Sequence, residues 1–265
     1  MTASAPATFA TLLQTAVSEP GVISRAYHAF HGYSIGNQIL ALVQCAERGI
    51  APGPISTFMG WKDKGRYVRK GERAIVLCMP ITVKRTIEVD DRAAEVLGLV
   101  NATFTRFVYK PHWFVLAQTE GQELASMPIP AWDRDRAVSG LDVQEVPFES
   151  CDGNTLGYAR GRTIAINPVN PLPHKTRFHE LAHVLLGHTA ESAQHDSELT
   201  PRNLRECEAE SVALLCCAAL ELPGIEFSRG YIQAWHGQGN PIPERSAQRI
   251  LKAADQILKA GQEVR

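Results

Sequence analysis

The chain contains six cysteines but no CxxC pair. In a reducing compartment such thiols are core filling, and neither a thiolate metal site nor a disulfide framework is expected. Long apolar runs are also missing. The longest, Val212 to Leu220, has nine residues, about half of the ~18 that a membrane span needs. No Lys or Arg precedes Arg25, and without a basic start and an apolar stretch after it the secretory pattern is absent, so a cytoplasmic location and no membrane partner are expected. Internal repeats and low-complexity tracts are lacking as well, which excludes solenoid and fibrous architectures. Net charge is only −1, and taken as a total it predicts no polyanionic partner.

What is present argues for two domains. The 265 residues, 45% hydrophobic and 21% charged, are enough for a real core and more than one typical domain. The small net charge hides an asymmetry: residues 1–125 carry 13 Lys and Arg against 10 Asp and Glu, whereas residues 126–265 carry 14 against 18. Nine basic residues against Asp63 and Glu72 fall within 48–85, an electrostatic footprint for phosphates. The segment Met127-Pro-Ile-Pro-Ala-Trp-Asp133 reads as a connection. The expected fold class is therefore α+β in two domains: a small N-terminal α+β nucleic-acid-binding domain at 1–126, a linker at 127–140, and a mainly helical domain with a short sheet at 141–265.

Periodicity predicts helices over Phe9–Val17 and Ser34–Arg48, the second with an apolar stripe of Ile35, Ile39, Leu42, Val43 and Ala46. Strands are predicted at Tyr67-Val68, Ala74–Val83 and Phe104–Leu116. Downstream, two short strands, Thr155–Tyr158 and Thr163–Ile166, precede a helix from Lys175 to Leu186 that Gly187 ends. Thr200-Pro201 opens a long helix as N-cap and N1, and an amphipathic helix covers Pro243–Ala260.

The sharpest signal is His179-Glu180-Leu-Ala-His183. HExxH within a helix puts two imidazoles, i and i+4, on one face to bind one metal ion, with a carboxylate beside them. A hydrolytic zinc site needs a third protein ligand and an open position. The extended HExxHxxGxxH pattern is excluded because Leu186 and Thr189 occupy its later positions. His188 follows the helix-ending glycine and reads as a donor near terminal carbonyls. In Arg205-Glu206-Cys207-Glu208-Ala209-Glu210, Glu206 and Glu210 share one helix face. Glu206 is assigned as the third ligand and Glu210 as the acceptor for the outer N–H of a ligating histidine, with Glu208 the alternative ligand. The expected cofactor is zinc, and manganese or iron also suits two histidines and a carboxylate. Glu180 is the expected general base, Tyr231 or His236 a donor to the developing oxyanion. Thr163–Ile166 is the expected edge for an extended peptide.

The run Gly60 to Arg73 interleaves Trp61 and Tyr67 with Lys62, Lys64, Arg66, Arg69, Lys70 and Arg73. Cations along a phosphate backbone with aromatic faces for unpaired bases is how single-stranded DNA is held without a base code. The alternative is a solvated hairpin face with its aromatics turned inward.

The two halves together resemble the ArdC-type antirestriction proteins. The matching stretches are Tyr33-Ser-Ile-Gly-Asn37 leading into Gln38–Gln44, Gly60-Trp61, Gly65-Arg66, Lys70-Gly71-Glu72 and Phe114–Gly121. In the second half they are His179–His183, Glu206 with Ala209-Glu210, and Tyr231–Trp235. The resemblance implies an N-terminal domain that binds single-stranded DNA with little sequence preference, a zincin-like metallopeptidase domain with a metal, and carriage on mobile elements. Val184 stands where the family commonly has tryptophan, and Arg205-Glu206 where it has paired glutamates. The function expected is a DNA-associated zinc metallopeptidase acting on a protein or peptide. The alternatives are a non-enzymatic antirestriction protein with an idle zincin domain, and a regulatory or DNA–protein-crosslink protease.

Overall fold

The computed structural model describes residues 8–86, 101–125, 128–149, 154–189, 201–237 and 239–263, with backbone alone at 84–86, 101–105 and 236–237. The fold is α+β in two compact units, one of Met1–Pro54 with Glu123–Arg265, the other of Ile55–Gln122.

The larger unit is built round one helix. Helices α1 (Phe9–Ser18), α2 (Val22–Phe30) and α3 (Ile35–Glu47) are joined in it by α5 (Arg134–Gly140), α6 (Pro173–Leu185), α7 (Arg202–Ala219), α8 (Ile225–Gly237) and α9 (Glu244–Ala260). Every residue of α7 from Cys207 to Ala219 is buried, as expected of a helix whose apolar residues run all round it. It packs against α2, α6, α8 and α9. Helix α9 is amphipathic, burying Ala247, Ile250, Leu251, Ala254, Ile257 and Leu258 at helical spacing.

Two features show how the segments around the expected boundaries pack. Helices α1–α3 belong to the unit that also holds the metal motif rather than to the basic segment. Glu244, at the start of α9, takes the backbone N–H groups of Phe9 and Ala10 at 2.9 and 2.8 Å. A carboxylate there satisfies unpaired amides and the positive end of the α1 dipole. Nor is the whole of 127–140 a linker. Asp133 accepts from Arg136 N at 2.7 Å and caps α5, while the Trp132 indole donates to the Ile257 carbonyl at 3.1 Å and meets Phe178 edge-on. Thr200 lies outside the described residues, and Pro201 stands at the N-cap of α7, one place before the position expected for it. Helix α3 buries more than one stripe, Leu40 and Ala41 included, while Ala46 is exposed.

A small sheet completes this unit, with β6 (Gln144–Glu145), β8 (Thr163–Ile166) and β7 (Gly157–Arg160) in that order. Strand β8 is central, parallel to β6 and antiparallel to β7. Thr163–Ile166 is therefore not the free edge expected of it, because its main-chain groups are spent on two neighbours. The edge next to the metal motif is β7.

The smaller unit holds β1 (Ile55–Thr57), β4 (Asn101–Val115) and β3 (Ile75–Thr86) in an antiparallel sheet, with β2 (Arg66–Val68) paired to β5 (Thr119–Gly121). Helix α4 (Phe58–Asp63) plants Trp61 in the core at 1% exposure, its indole N–H donating to the Phe114 carbonyl at 2.8 Å. Gln118 is buried too. Its carbonyl accepts from Val115 N at 3.0 Å and its amide donates to Glu72 and to the Arg73 carbonyl, so all its polar groups are used.

In the larger unit, Arg177 of α6 clasps Glu145 of β6 in a bidentate pair at 2.7 and 2.8 Å. The guanidinium holds the Glu145 carboxyl below the usual carboxylate range, against the opposing effect of burial. A lowered folded-state pKa adds stability above the unfolded pKa and loses it as pH falls through the folded one. Glu145→Gln is therefore expected to be less stable than the parent in denaturant at neutral pH, with the gap closing in acid. A gap unchanged between pH 7 and pH 2 would mean that the pair adds nothing.

Candidate functional site

Pro173 starts α6 at a position where its missing N–H costs nothing, and burial of Phe178, Leu181 and Ala182 turns the remaining face toward α7. His179 and His183 lie on that face. Their Nε2 atoms are 3.0 Å apart, and Glu206 Oε2 of α7 lies 3.4 Å from the first and 3.6 Å from the second. Donors about 2.0–2.1 Å from one tetrahedral ion stand roughly 3.3 Å apart, so the three atoms have the separations of a shared ion. Their chemistry agrees. His179 Nδ1 is 2.9 Å from Glu210 Oε2, and an ionised carboxylate only accepts, so the ring proton sits on Nδ1 and Nε2 offers a lone pair. Two lone pairs and a carboxylate oxygen this close repel one another unless a metal ion, or in its place a second proton on His179, lies among them. Among the described residues this is the one cluster of three such donors.

The electrostatics point the same way. Burial opposes charge on His179, yet Glu206 and Glu210 outweigh it and push the imidazole up to about 9. The two histidines hold the Glu206 carboxyl far below the carboxylate range. Burial pushes Glu210 up, but His179 and the Lys175 ammonium, 2.6 Å away, bring it down to about 2. The arrangement thus draws positive charge to the point between the rings.

His183 has a different outer partner. Its Nδ1 lies 3.0 Å from His188 Nδ1, and His188 Nε2 lies 2.9 Å from Glu208 Oε2. The His188 side chain meets these two groups rather than helix-end carbonyls, and Glu208 stands apart from the donor cluster: it is fully buried and turned toward α9, where Arg249 Nη1 stands 3.9 Å away. The sequence signal that could have found the pair is a histidine five residues after His183, just past the helix-ending Gly187, with a glutamate two places from each of Glu206 and Glu210.

These donors open onto a cleft of about 500 Å³ whose walls include Gly157–Ala159 of β7, Glu180, Arg202 and Arg205. Glu180 is buried beside the histidines, and burial pushes its carboxyl up against their opposing effect. Gly157 is required by proximity: a Cβ there would lie 2.6 Å from Thr176 Cγ2 and 3.4 Å from Glu180 Cγ. Tyr231 is 44% exposed on α8 and is not one of the cleft-lining residues. Burial, with the Glu206 charge next, raises its phenol. The His236 side chain lies outside the described ones.

The basic run in the smaller unit separates into two sets. Trp61 is core, so it offers no face for a base. Arg66 ties β2 to β5 through the Thr119 hydroxyl at 2.8 Å and the Gln122 carbonyl, and Arg69 is engaged by Glu72 and the Ala117 carbonyl at 2.7 and 2.6 Å. Lys62, Lys64, Tyr67, Lys70 and Arg73 are exposed. Sequence reasoning missed Phe58 and Phe107, exposed at 53% and 56%. They lie before and well after the basic run, where no charge pattern marks them.

Two family models match the chain: the N-terminal domain of anti-restriction factor ArdC over residues 14–122, and the IrrE N-terminal-like domain over residues 136–241. Two crystal structures of the antirestriction protein ArdC from plasmid R388 are similar throughout. The metal-free one matches at TM-score 0.53 and 19% identity over 96% of this chain and 94% of that one. The Mn(II)-bound one matches at 0.51 and 18% over 97% and 99%. No curated protein sequence matches. Among the described residues no helix is long and apolar enough to cross a membrane.

Loss of an outer partner weakens a metal site roughly 10- to 100-fold. Glu210→Gln is expected to lower zinc affinity by that amount in a chelator competition, and Glu206→Ala by more. Zinc affinity equal to the parent's in Glu206→Ala would remove that residue from the donor set.

Proposed function

Starting from a chain that is an ArdC-type protein, with an ArdC N-terminal domain joined to an IrrE-like peptidase domain, we propose that it is a DNA-associated metallopeptidase of the cytoplasm that binds single-stranded DNA and hydrolyses peptide bonds. The observation that carries the reading is the convergence of His179, His183 and Glu206 on one point, with Glu180 beside them in an open cleft.

His179, His183 and Glu206 are the residues that would hold the ion. Zinc suits the set, as do manganese and iron, and the similar R388 protein has been crystallised with Mn(II). A divalent ion held there supplies the Lewis acidity that polarises a carbonyl and acidifies a water.

The remaining steps belong to the chain's own groups. The outer main-chain groups of β7 accept an extended peptide as an added strand, which lays its backbone along the cleft wall. Glu180 takes the proton from the attacking water on a carboxylate oxygen and returns it to the leaving amine nitrogen. A carboxyl raised by burial is a better match for that exchange near neutral pH than a solvated one. Lys175 and Glu210 hold the His179 ring in place while this happens.

In the smaller unit, Lys62, Lys64, Lys70 and Arg73 supply phosphate contacts and Tyr67, with Phe58 and Phe107, supplies faces for unpaired bases. Arg66 and Arg69 keep the β2–β5 platform in shape.

Glu180→Gln is expected to abolish cleavage of casein or of a single-strand-bound protein while zinc content and DNA affinity stay at parent values. Undiminished cleavage would remove Glu180 from the chemistry, and a parent that cleaves nothing while protecting DNA would favour the non-enzymatic antirestriction role. For the DNA, base stacking on one aromatic side chain is worth about 1–3 kcal/mol. Tyr67→Ala should therefore weaken oligothymidine binding by roughly 5- to 150-fold. Affinity should also fall by about 0.7 log units per phosphate contact for each tenfold rise in salt. A salt-independent affinity would reduce the basic run to a solvated face.

A further inference from the structure

We infer that His188 and Glu208 act as a positioning pair that keeps the proton of His183 on Nδ1, so that the Nε2 lone pair of that ring faces the donor cluster. The inference rests on the metal-site reading above and extends it to two residues outside the donor set.

Glu208 anchors the chain of assignments. It is fully buried on the side of α7 that faces α9, and its Oε2 stands 2.9 Å from His188 Nε2. A carboxylate can only accept, so His188 Nε2 carries the hydrogen. A neutral imidazole has one N–H, which leaves His188 Nδ1 an acceptor. Among the described residues the ring atom placed against it is His183 Nδ1 at 3.0 Å, and this nitrogen therefore donates. With its single proton spent there, His183 presents a bare Nε2 to His179 Nε2 and Glu206 Oε2, the form in which an imidazole binds a metal.

The surroundings hold the pair in register. Gly187, at φ +73°, turns the chain out of α6, and the His188 N–H donates to the His183 carbonyl at 2.8 Å. Arg249 of α9 donates to the Leu186 carbonyl in the same turn and places its guanidinium near Glu208 Oε1. Against the opposing effect of burial, Ser246 and Arg249, both on α9, help to hold the Glu208 carboxyl below the usual carboxylate range, and Arg249 is the cation that balances its charge. The His188 side chain is left 3% exposed at the wall of the cleft, so the group that faces His183 Nδ1 is the ring. The two proposed ligands thus differ in kind. His179 is backed by a carboxylate and a lysine, His183 by an imidazole that relays to a carboxylate.

The test uses the full-length protein in three forms: parent, His188→Leu and His188→Gln. Leucine removes the acceptor, whereas glutamine can accept from His183 through its carbonyl and donate to Glu208 through its amide. Zinc affinity by chelator competition should fall roughly 10- to 100-fold in His188→Leu and recover to within about threefold of the parent in His188→Gln, the range expected for an outer partner. In metal-free protein, nitrogen-15 correlation spectra of the imidazoles should show His183 as the Nδ1–H tautomer in the parent and in the glutamine variant, and a mixture in the leucine variant. Equal zinc affinity in parent and His188→Leu would overturn the inference, as would an Nε2–H tautomer for His183 in the parent. A glutamine variant as weak as the leucine one would reduce His188 to packing. A parent that takes up no zinc would overturn the metal site itself, a result distinct from the others because the tautomer is read without metal.

Discussion

Three acceptor atoms, two imidazole nitrogens and a carboxylate oxygen, are held within 3.6 Å of one another at the facing surfaces of α6 and α7. Alone they repel. The rest of the larger unit can be understood as what makes that crowding tolerable. The apolar residues of α7 bury it on all sides, so hydrophobic burial fixes the helix whatever the cost at its N-terminal end. Glu210 with Lys175, and Glu208 with Arg249, then supply compensated charge next to the rings. A buried carboxylate is expensive unless it is paired, and here each buried carboxylate behind the site has a cation and a histidine N–H.

The donor cluster also explains the placement of elements that touch no ligand. The small sheet brings β7 against α6 through Gly157, where a side chain would collide with Thr176 and crowd Glu180. The edge strand can therefore lie along the cleft instead of standing off from it. Helix α9 reaches round to the same region through Arg249, and α1 is tied to the start of α9 by Glu244. Changes far from the motif along the sequence are in this way coupled to the turn that carries His188.

The smaller unit follows a separate logic. Its core is small, so polar side chains do structural work there: Trp61 and Gln118 bond to the backbone, and Arg66 and Arg69 hold strands together. The exposed residues include Lys62, Lys64, Lys70 and Arg73 with Tyr67, Phe58 and Phe107. Composition could count the cations and aromatics in this segment, but it could not say which of them were already committed to folding.

The sequence by itself determined the local elements and the local chemistry. HExxH at helical spacing, the glycine after it, the Glu206–Glu210 spacing and the long strands all depend on contacts a few residues apart, and periodicity reports these directly. It also carried the two-domain α+β class and the ArdC-type resemblance. Tertiary structure decided everything that needed two distant segments. It packed helices α1–α3 with the helices of the metal motif, made Thr163–Ile166 a central strand, took Trp61 out of the candidate interface and paired His188 with Glu208. None of these leaves a periodic trace, because each is fixed by which surfaces bury each other, and that is settled only when the whole chain competes for the same core.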